Sequence, residues 1–181
     1  TQHVHDSGER LIDYLDDARA DGMIVLDGGL ETDVVEMLAA ASQAERILFA
    51  CEWVEDANFP SVRCENRTGT RLAVNHLYGL GHTKIAHITG PIGNVLGQTR
   101  KEAFVAELAD LGLELKAEWI MTGDFTLAAG CLAAQEWLAR NDRPTAVLCA
   151  SHQLAMGFIA ALSPPRHKVP HQWSVMGFGG L

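Results

Sequence analysis

The feature that most constrains the fold of this chain is a regular alternation between segments of helical periodicity and short apolar segments. Apolar residues recur every three to four positions in six segments, which predicts helices at 9–20, 31–41, 66–80, 98–111, 127–140 and 153–162. Seven shorter segments predict strands, at 22–26, 47–51, 61–65, 84–89, 119–122, 145–150 and 173–178. Strands joined by helices require crossover connections, so we predict an α/β protein with a parallel sheet.

The predicted strands are apolar on both sides and do not alternate with polar residues. Residues 22–26 and 145–150 are almost wholly apolar. Parallel strands with helices on both faces have this composition, so we predict strands buried on both faces. The helix at 98–111 is predicted to point Phe104, Val105 and Leu108 inward.

Composition and charge exclude several classes of protein. The 181 residues are 48% hydrophobic, with a mean hydropathy of +0.03, and no apolar run approaches the length of a membrane span. Residues 1–10 are polar, so no signal peptide is predicted. The chain has 14 Lys and Arg against 23 Asp and Glu, a formal net charge of −9. Because affinity for DNA depends largely on phosphate neutralisation, these residues alone are not expected to bind nucleic acid.

The four cysteines indicate a reducing compartment. Cys51, Cys64, Cys131 and Cys149 form no C-x-x-C pair, and all lie in or beside apolar runs. We therefore interpret them as reduced core residues of a cytoplasmic protein, although an even count also permits two disulfides.

Searches for catalytic and cofactor motifs give no match. The glycines around residues 79–81 and 90–97 are not spaced as a dinucleotide or P-loop fingerprint. The eight histidines include no H-E-x-x-H, and there is no G-x-S-x-G elbow. Cys149 and His152 are close in sequence, but a buried strand cysteine is not an activated nucleophile. No metal or cofactor is therefore predicted, and no enzymatic activity.

Polar and flexible residues follow several predicted strands at their carboxyl ends. Ligands of open α/β sheets bind at that edge. The residues concerned are Glu52, residues 94–100, Asp124 with Phe125, Ser151 with His152, and Gly179. Together they could line one crevice, whereas each taken singly is ordinary loop chemistry.

Five strings of the sequence resemble one family in order and spacing. In PSVRCENRTGTRLAVNHLYGLGHTKIAHITGP, a helix ending in Leu-Gly-His leads to a strand ending in Gly-Pro. The likeness continues through QTRKEAFVAELADLGL, GDFT, DRPTAVLCAS and VPHQWSVMGFGG. These strings resemble the effector-binding core of the LacI/GalR transcriptional regulators over most of the chain.

The resemblance implies a fold of two α/β lobes of the periplasmic-binding-protein type. A small effector, sugar-like or nucleoside-like, would bind between the lobes, and a separate headpiece would hold operator DNA. It implies an N-terminal lobe at 1–64 and a C-terminal lobe at 65–181, both partial, with the headpiece outside this chain. The expected protein is a cytoplasmic homodimer that does not enter a membrane.

The resemblance also implies ligand-binding residues. Arg100 stands where the family's Arg-x-x-Gly-Phe arginine hydrogen-bonds the effector, with Ala103 in place of the glycine, and its forked donors suit hydroxyls or a carboxylate. Phe125 matches an aromatic residue that packs against the ligand. Glu52 stands where an aspartate usually follows the strand.

Two positions depart from the family pattern. Ser151-His152 replaces the family's Asn-Asp, and Gly179-Gly180 replaces its Asp-Asp after Phe178. The second change removes a carboxylate that would accept ligand hydroxyl groups. Loss of such a partner costs on the order of 1–3 kcal/mol in a closed site. We therefore expect Ser151 and Gly179 to line a site that takes something other than the usual sugar, or one that no longer senses a sugar.

Two other functions are weighed against the regulator. One is a periplasmic solute-binding protein of a sugar transporter, which shares the fold but requires export. The other is an enzyme that uses Cys149, His152 or Glu52, which no motif supports. The cysteines and the Leu-Gly-His string favour the regulator.

Overall fold

The protein consists of two compact units, residues 1–64 and 65–181. The structure is a computed structural model that describes residues 7–17, 19–55, 57–162 and 169–179. The N-terminal unit contains α1 (Ser7–Asp16), β1 (Met23–Val25), α2 (Thr32–Ala40), β2 (Ile47–Ala50) and β3 (Ser61–Val62). The C-terminal unit contains α3 (Asn66–Gly79), β4 (Ile85–Ile88), α4 (Val95–Asp110), β5 (Ile120–Met121), α5 (Leu127–Ala139), β6 (Ala146–Cys149), α6 (His152–Ala161) and β7 (Ser174–Gly177).

The N-terminal unit has a parallel three-stranded sheet in the order β1-β2-β3. One face of this sheet packs against α1 and α2. Every second residue of the strands points to that face, where it contacts apolar residues of both helices. The buried residues are Leu15, Val25, Val34, Leu38, Ile47 and Phe49. Alternate positions point the other way, and Ile24 and Val62 are 66% and 63% exposed. The prediction of burial on both faces is therefore wrong for this sheet, since its described helices lie on one face.

The C-terminal unit has a parallel four-stranded sheet in the order β5-β4-β6-β7. Every residue of β4 and β6, the two central strands, is buried. The prediction of strands buried on both faces is confirmed for this pair. All four residues of β7 are half-buried, because that strand lies at the sheet edge.

Helices cover both faces of the C-terminal sheet. On one face α3 and α4 bring Val74, Leu77, Phe104 and Leu108 against Ile85 and other strand residues. On the other face α5 and α6 pack closely together and bury an aromatic core that contains Trp137 and Phe158, with 5.6 Å between their ring centroids. Val105, predicted to point inward, is instead 37% exposed because it lies one position beyond the apolar stripe of α4.

The predicted start of the fourth helix also needs correction. The fourth helix begins at Val95, before the predicted Gln98, because the Asn94 side chain caps it by accepting from the backbone N–H groups of Leu96 and Gly97.

The cysteines are not all core residues. Cys149 is buried and Cys131 is half-buried, but Cys51 and Cys64 are exposed, because both follow the carboxyl ends of short strands. The structure describes all four, and none of them takes part in a disulfide bond. Among the described residues, no helix is both long and apolar enough to cross a bilayer.

Candidate functional site

The candidate site lies at the carboxyl ends of β4 and β6, which are neighbours in the C-terminal sheet. From β4 the chain crosses over to β5 on one side, and from β6 it crosses to β7 on the other side. Strands whose connections diverge in this way leave a crevice between the following loops, and ligands of open α/β sheets bind in that crevice.

Arg100 reaches across this crevice. It lies in the second turn of α4, which follows β4, and only 9% of its surface is exposed. Its Nη1 donates to the carbonyl of Ala150, directly after β6, at 2.5 Å. Its Nε donates to Oδ1 of Asn66 at 2.9 Å. A buried guanidinium that donates through both Nε and Nη1 has a fixed orientation, so the side chain is preorganised.

Two partners of Arg100 were not among the predicted site residues. Asn66 is the first residue of α3 and is 3% exposed. The Phe178 ring follows β7 and lies over the guanidinium, 4.0 Å from its carbon to the ring centroid, which is a cation–π contact. The ring has room because residue 69 is glycine: a Cβ there would lie 2.8 Å from Phe178 Cε2. Asn66 had a signal in the sequence, because it stands in the Cys-Glu-Asn string that supports the family resemblance.

Ser151 lies at the site, but its hydroxyl has a structural role. It follows the carbonyl that Arg100 binds and is 8% exposed. Its Oγ accepts from the backbone N–H of Leu154 at 3.2 Å and so caps α6. Any ligand contact through this hydroxyl must share the oxygen with that cap.

Phe125 stands at the neighbouring strand end, in the loop between β5 and α5. Its backbone has φ +66°, a left-handed conformation that is uncommon for an aromatic residue. The half-buried ring packs on Gly90, where a Cβ would come within 2.5 Å of the Phe125 Cε1 atom. Gly90 also approaches Gly97 of α4, so small residues at both positions admit the ring.

Gly179 follows Phe178 with φ +88° and is exposed. Nothing lies within 4 Å of the position that a Cβ would take, so the conformation and not crowding favours glycine there. Gly180 lies outside the described residues. Arg100 contacts Ala150, which precedes Ser151, and Phe178, which precedes Gly179. Phe125 lies at the end of the adjacent strand β5.

Glu52 belongs to the N-terminal unit, at the carboxyl end of β2. Its Oε2 accepts from the backbone N–H of Gly28 at 2.9 Å, which ties the loop after β1 to the loop after β2. The preceding residue, Cys51, has φ +68° and turns the chain out of the strand. A role of Glu52 in ligand binding remains a prediction.

The cysteine considered as a nucleophile is buried in β6. Burial raises the pKa of the Cys149 thiol far above its ordinary value, so its thiolate is scarcely populated at neutral pH. Within the described ranges, no three His, Cys, Asp or Glu side chains are placed to hold a metal ion.

Comparison with known protein families identifies the family of this chain. A family model described as "Periplasmic binding proteins and sugar binding domain of LacI family" matches residues 2–181. The chain belongs to this family. The predicted periplasmic-binding-protein-like α/β fold and the predicted family are both confirmed.

Curated LacI-family relatives are named as repressors. The HTH-type transcriptional repressor CytR of Escherichia coli K12 is 31% identical over 179 residues, 99% of this chain and 52% of CytR. The HTH-type transcriptional repressor PurR of Mannheimia succiniciproducens is 28% identical over 182 residues, 100% of this chain and 54% of PurR. The chain therefore spans about half the length of the curated relatives it matches.

Solved LacI-family structures share the fold. A sugar-binding transcriptional regulator of Escherichia coli, complexed with phosphate, has a TM-score of 0.81 and 26% identity, over 97% of this chain and 63% of that one. A LacI-family regulator of Mycobacterium smegmatis has a TM-score of 0.76 and 27% identity, over 93% of this chain and 61% of that one.

Proposed function

We propose that residues 1–181 are the effector-sensing core of a LacI-type transcriptional repressor in the cytoplasm. In this proposal residues 1–64 and 65–181 belong to its two lobes, and operator DNA is bound by a headpiece outside these residues. The effector is a small molecule, sugar-like or nucleoside-like. The description of the family, the repressor names of the relatives and the sugar-binding title of one structural neighbour support this assignment.

The observation that carries the proposal is the position of Arg100. A buried arginine is costly unless its donors are satisfied, and this one is held by two acceptors at the point where the strand connections diverge. Such a fixed cationic fork suits an effector with hydroxyl, carboxylate or phosphate oxygens. With glycine at 179, the site has no carboxylate there to accept a ligand hydroxyl, which favours effectors rich in acceptor atoms.

The proposal is tested by thermal unfolding of the protein against sugars, polyols, nucleosides and their phosphates. A ligand at one hundred times its Kd adds about 2.7 kcal/mol, which raises the Tm of a chain of this size by about 5–11 °C. Arg100→Lys keeps the charge but cannot reproduce the forked geometry, so it should abolish the shift. Lys101→Met, at the exposed neighbour, should keep it. No shift with any compound, or a shift unaffected by Arg100→Lys, contradicts the proposal.

The regulator is further proposed to be a homodimer. Leu132 of α5 and Met156 and Ile159 of α6 are 43–60% exposed on two helices that pack against each other. Met156 and Ile159 are three residues apart and share a face of α6. A second copy would remove this apolar surface from water. Sedimentation should show a dimer that Ile159→Glu dissociates; a monomer at all concentrations argues against it.

The competing functions are less well supported. A periplasmic solute-binding protein is not favoured, because the curated relatives are named as repressors. Those relatives are also not enzymes, and we propose that this chain catalyses no reaction. We further propose that residues 1–181 alone do not bind DNA, which a gel shift at low salt with sequence-specific retention would overturn.

A further inference from the structure

The net negative charge of the protein lies in its N-terminal unit. Residues 1–64 contain 14 Asp and Glu against four Lys and Arg, a formal charge of −10, whereas residues 65–181 contain nine against ten, a charge of +1. A field of one sign over one unit attracts partners of the opposite sign and raises their association rate. The proposed effector site in the C-terminal unit does not account for this asymmetry.

A groove lies on the N-terminal unit along α2. One wall is a face of the helix formed by Thr32, Val35, Glu36 and Ala39, which follow the i, i+3, i+4, i+7 pattern of a single helix face. The other wall is formed by Val54, Glu55, Ala57 and Asn58, and the space between the walls is about 480 Å³. A second depression of about 400 Å³ shares Ala39 and Asn58 and extends the groove past residues 59 and 60.

The lining of this α2 groove combines an apolar floor with an acidic rim. The apolar residues are Leu30, Val35, Ala39, Ala44, Val54, Ala57, Phe59 and Pro60. The rim carries the exposed carboxylates of Glu36, Glu45 and Glu55. None of the three forms a salt bridge with a residue that the structure describes.

We propose that the α2 groove docks a cationic amphipathic peptide segment of another protein. Apolar side chains of the segment would occupy the floor, and flanking Lys or Arg would pair with the three carboxylates. An anionic segment or a phosphate backbone is repelled by the unit's charge of −10, and a neutral apolar segment gains nothing from the rim. The nine residues of α2 span about 13 Å, which matches about two and a half turns of a helical peptide. So small an interface gives weak binding that depends on salt.

The test uses the whole chain of 181 residues with ¹⁵N labelling and peptides of about twelve residues. A peptide of Leu and Lys arranged at helical spacing should bind and shift the amide signals of Val35, Ala39 and Ala57. The same peptide with Glu in place of Lys should not bind, nor should one with Ser in place of Leu. Raising NaCl from about 50 to about 300 mM should weaken binding markedly.

Matched variants separate the groove from the general field. Glu36→Gln/Glu45→Gln/Glu55→Gln should weaken binding roughly tenfold, from three exposed ion pairs. Asp13→Asn/Asp17→Asn/Asp21→Asn removes the same charge elsewhere in the unit and should have a much smaller effect. Equal losses in both variants, or amide shifts outside the groove, overturn the proposal. Groove signals that shift with protein concentration without peptide show that a second copy occupies it, which overturns the proposal as well.

Discussion

The stability of the C-terminal unit in mild acid should depend on His87, at the centre of β4. The imidazole is fully buried and stacks on Phe104, with 4.8 Å between the ring centroids. Its Nδ1 lies 2.8 Å from the carbonyl oxygen of Leu148. Because a carbonyl can only accept, Nδ1 carries the proton of the neutral ring. Burial lowers the pKa of His87 from 6.5 to about 4, since desolvation disfavours the imidazolium.

The size of the effect follows from this difference in pKa. The unfolded chain binds a proton at His87 near pH 6.5, whereas the folded chain does so only near pH 4. The unfolded state therefore holds more protons in this window, and the free energy of unfolding falls as the pH falls. The loss is about 2 kcal/mol between pH 7 and pH 5, and about 3 kcal/mol when both states are protonated. For a chain of this size, the first figure lowers the Tm by about 4–8 °C.

This loss is measured by urea unfolding at pH 7, 6 and 5. Unfolding is monitored by the fluorescence of Trp119 and Trp137, which are buried in the same unit. His87→Phe keeps a ring beside Phe104 but cannot titrate. Whatever its stability at pH 7, the variant should lose about 2 kcal/mol less than the wild type between pH 7 and pH 5. Most carboxylates remain ionised there and contribute equally to both proteins. Equal losses in both would show that His87 does not govern the acid sensitivity.

Three further predictions concern an ion pair, a packing contact and a thiol. The hydrogen bond from Arg71 lowers the pKa of Glu107 below 4.5. The ion pair therefore adds to the free energy of unfolding above that pH, and this contribution is lost as the pH falls below it. Glu107→Gln should therefore flatten the pH dependence of unfolding only below about pH 4.5, and flattening confined to higher pH contradicts this. Gly90→Ala should lower the free energy of unfolding in urea by about 1–3 kcal/mol, because the added Cβ meets the Phe125 ring. The double variant with Phe125→Ala should lose less than the sum of the two single losses. Additive losses would show that the ring is not the obstacle. Cys149 should resist an aromatic disulfide reagent in the native protein and react in urea, because its thiol is buried; mass-spectrometric detection of native labelling refutes this.

The helices and strands were largely predictable because their signals are local. Asn94 shows where the prediction stopped short: an N-cap hydrogen bond starts α4 three residues before the predicted helix at 98. An asparagine before a helical pattern is a recognised start signal, but after a strand the same residue is equally typical of a loop.

Burial was less predictable than periodicity. The apolar residues of β1 and β6 are similar in kind, yet Ile24 is 66% exposed and Val147 is fully buried. An apolar strand has two faces, and the local sequence does not state which other elements cover them. For the same reason the exposure of Cys51 and Cys64 could not be read from their apolar neighbours.

For the site, the family resemblance gave the individual residues but not their arrangement. Arg100 was identified from its motif, and Ser151 was expected as a ligand residue although its hydroxyl caps α6. Asn66 and Phe178, the partners of the guanidinium, lie 34 and 78 positions away from Arg100. No local pattern joins residues so far apart.

The sequence by itself determined the α/β class, the order of the elements and the family, because periodicity, turn residues and motif spacing are properties of neighbouring positions. Only the tertiary structure decided which side chains meet at the ends of β4 and β6. A hydrogen bond such as that from Arg100 to the Ala150 carbonyl depends on the strand order, which long-range packing fixes and local propensity does not.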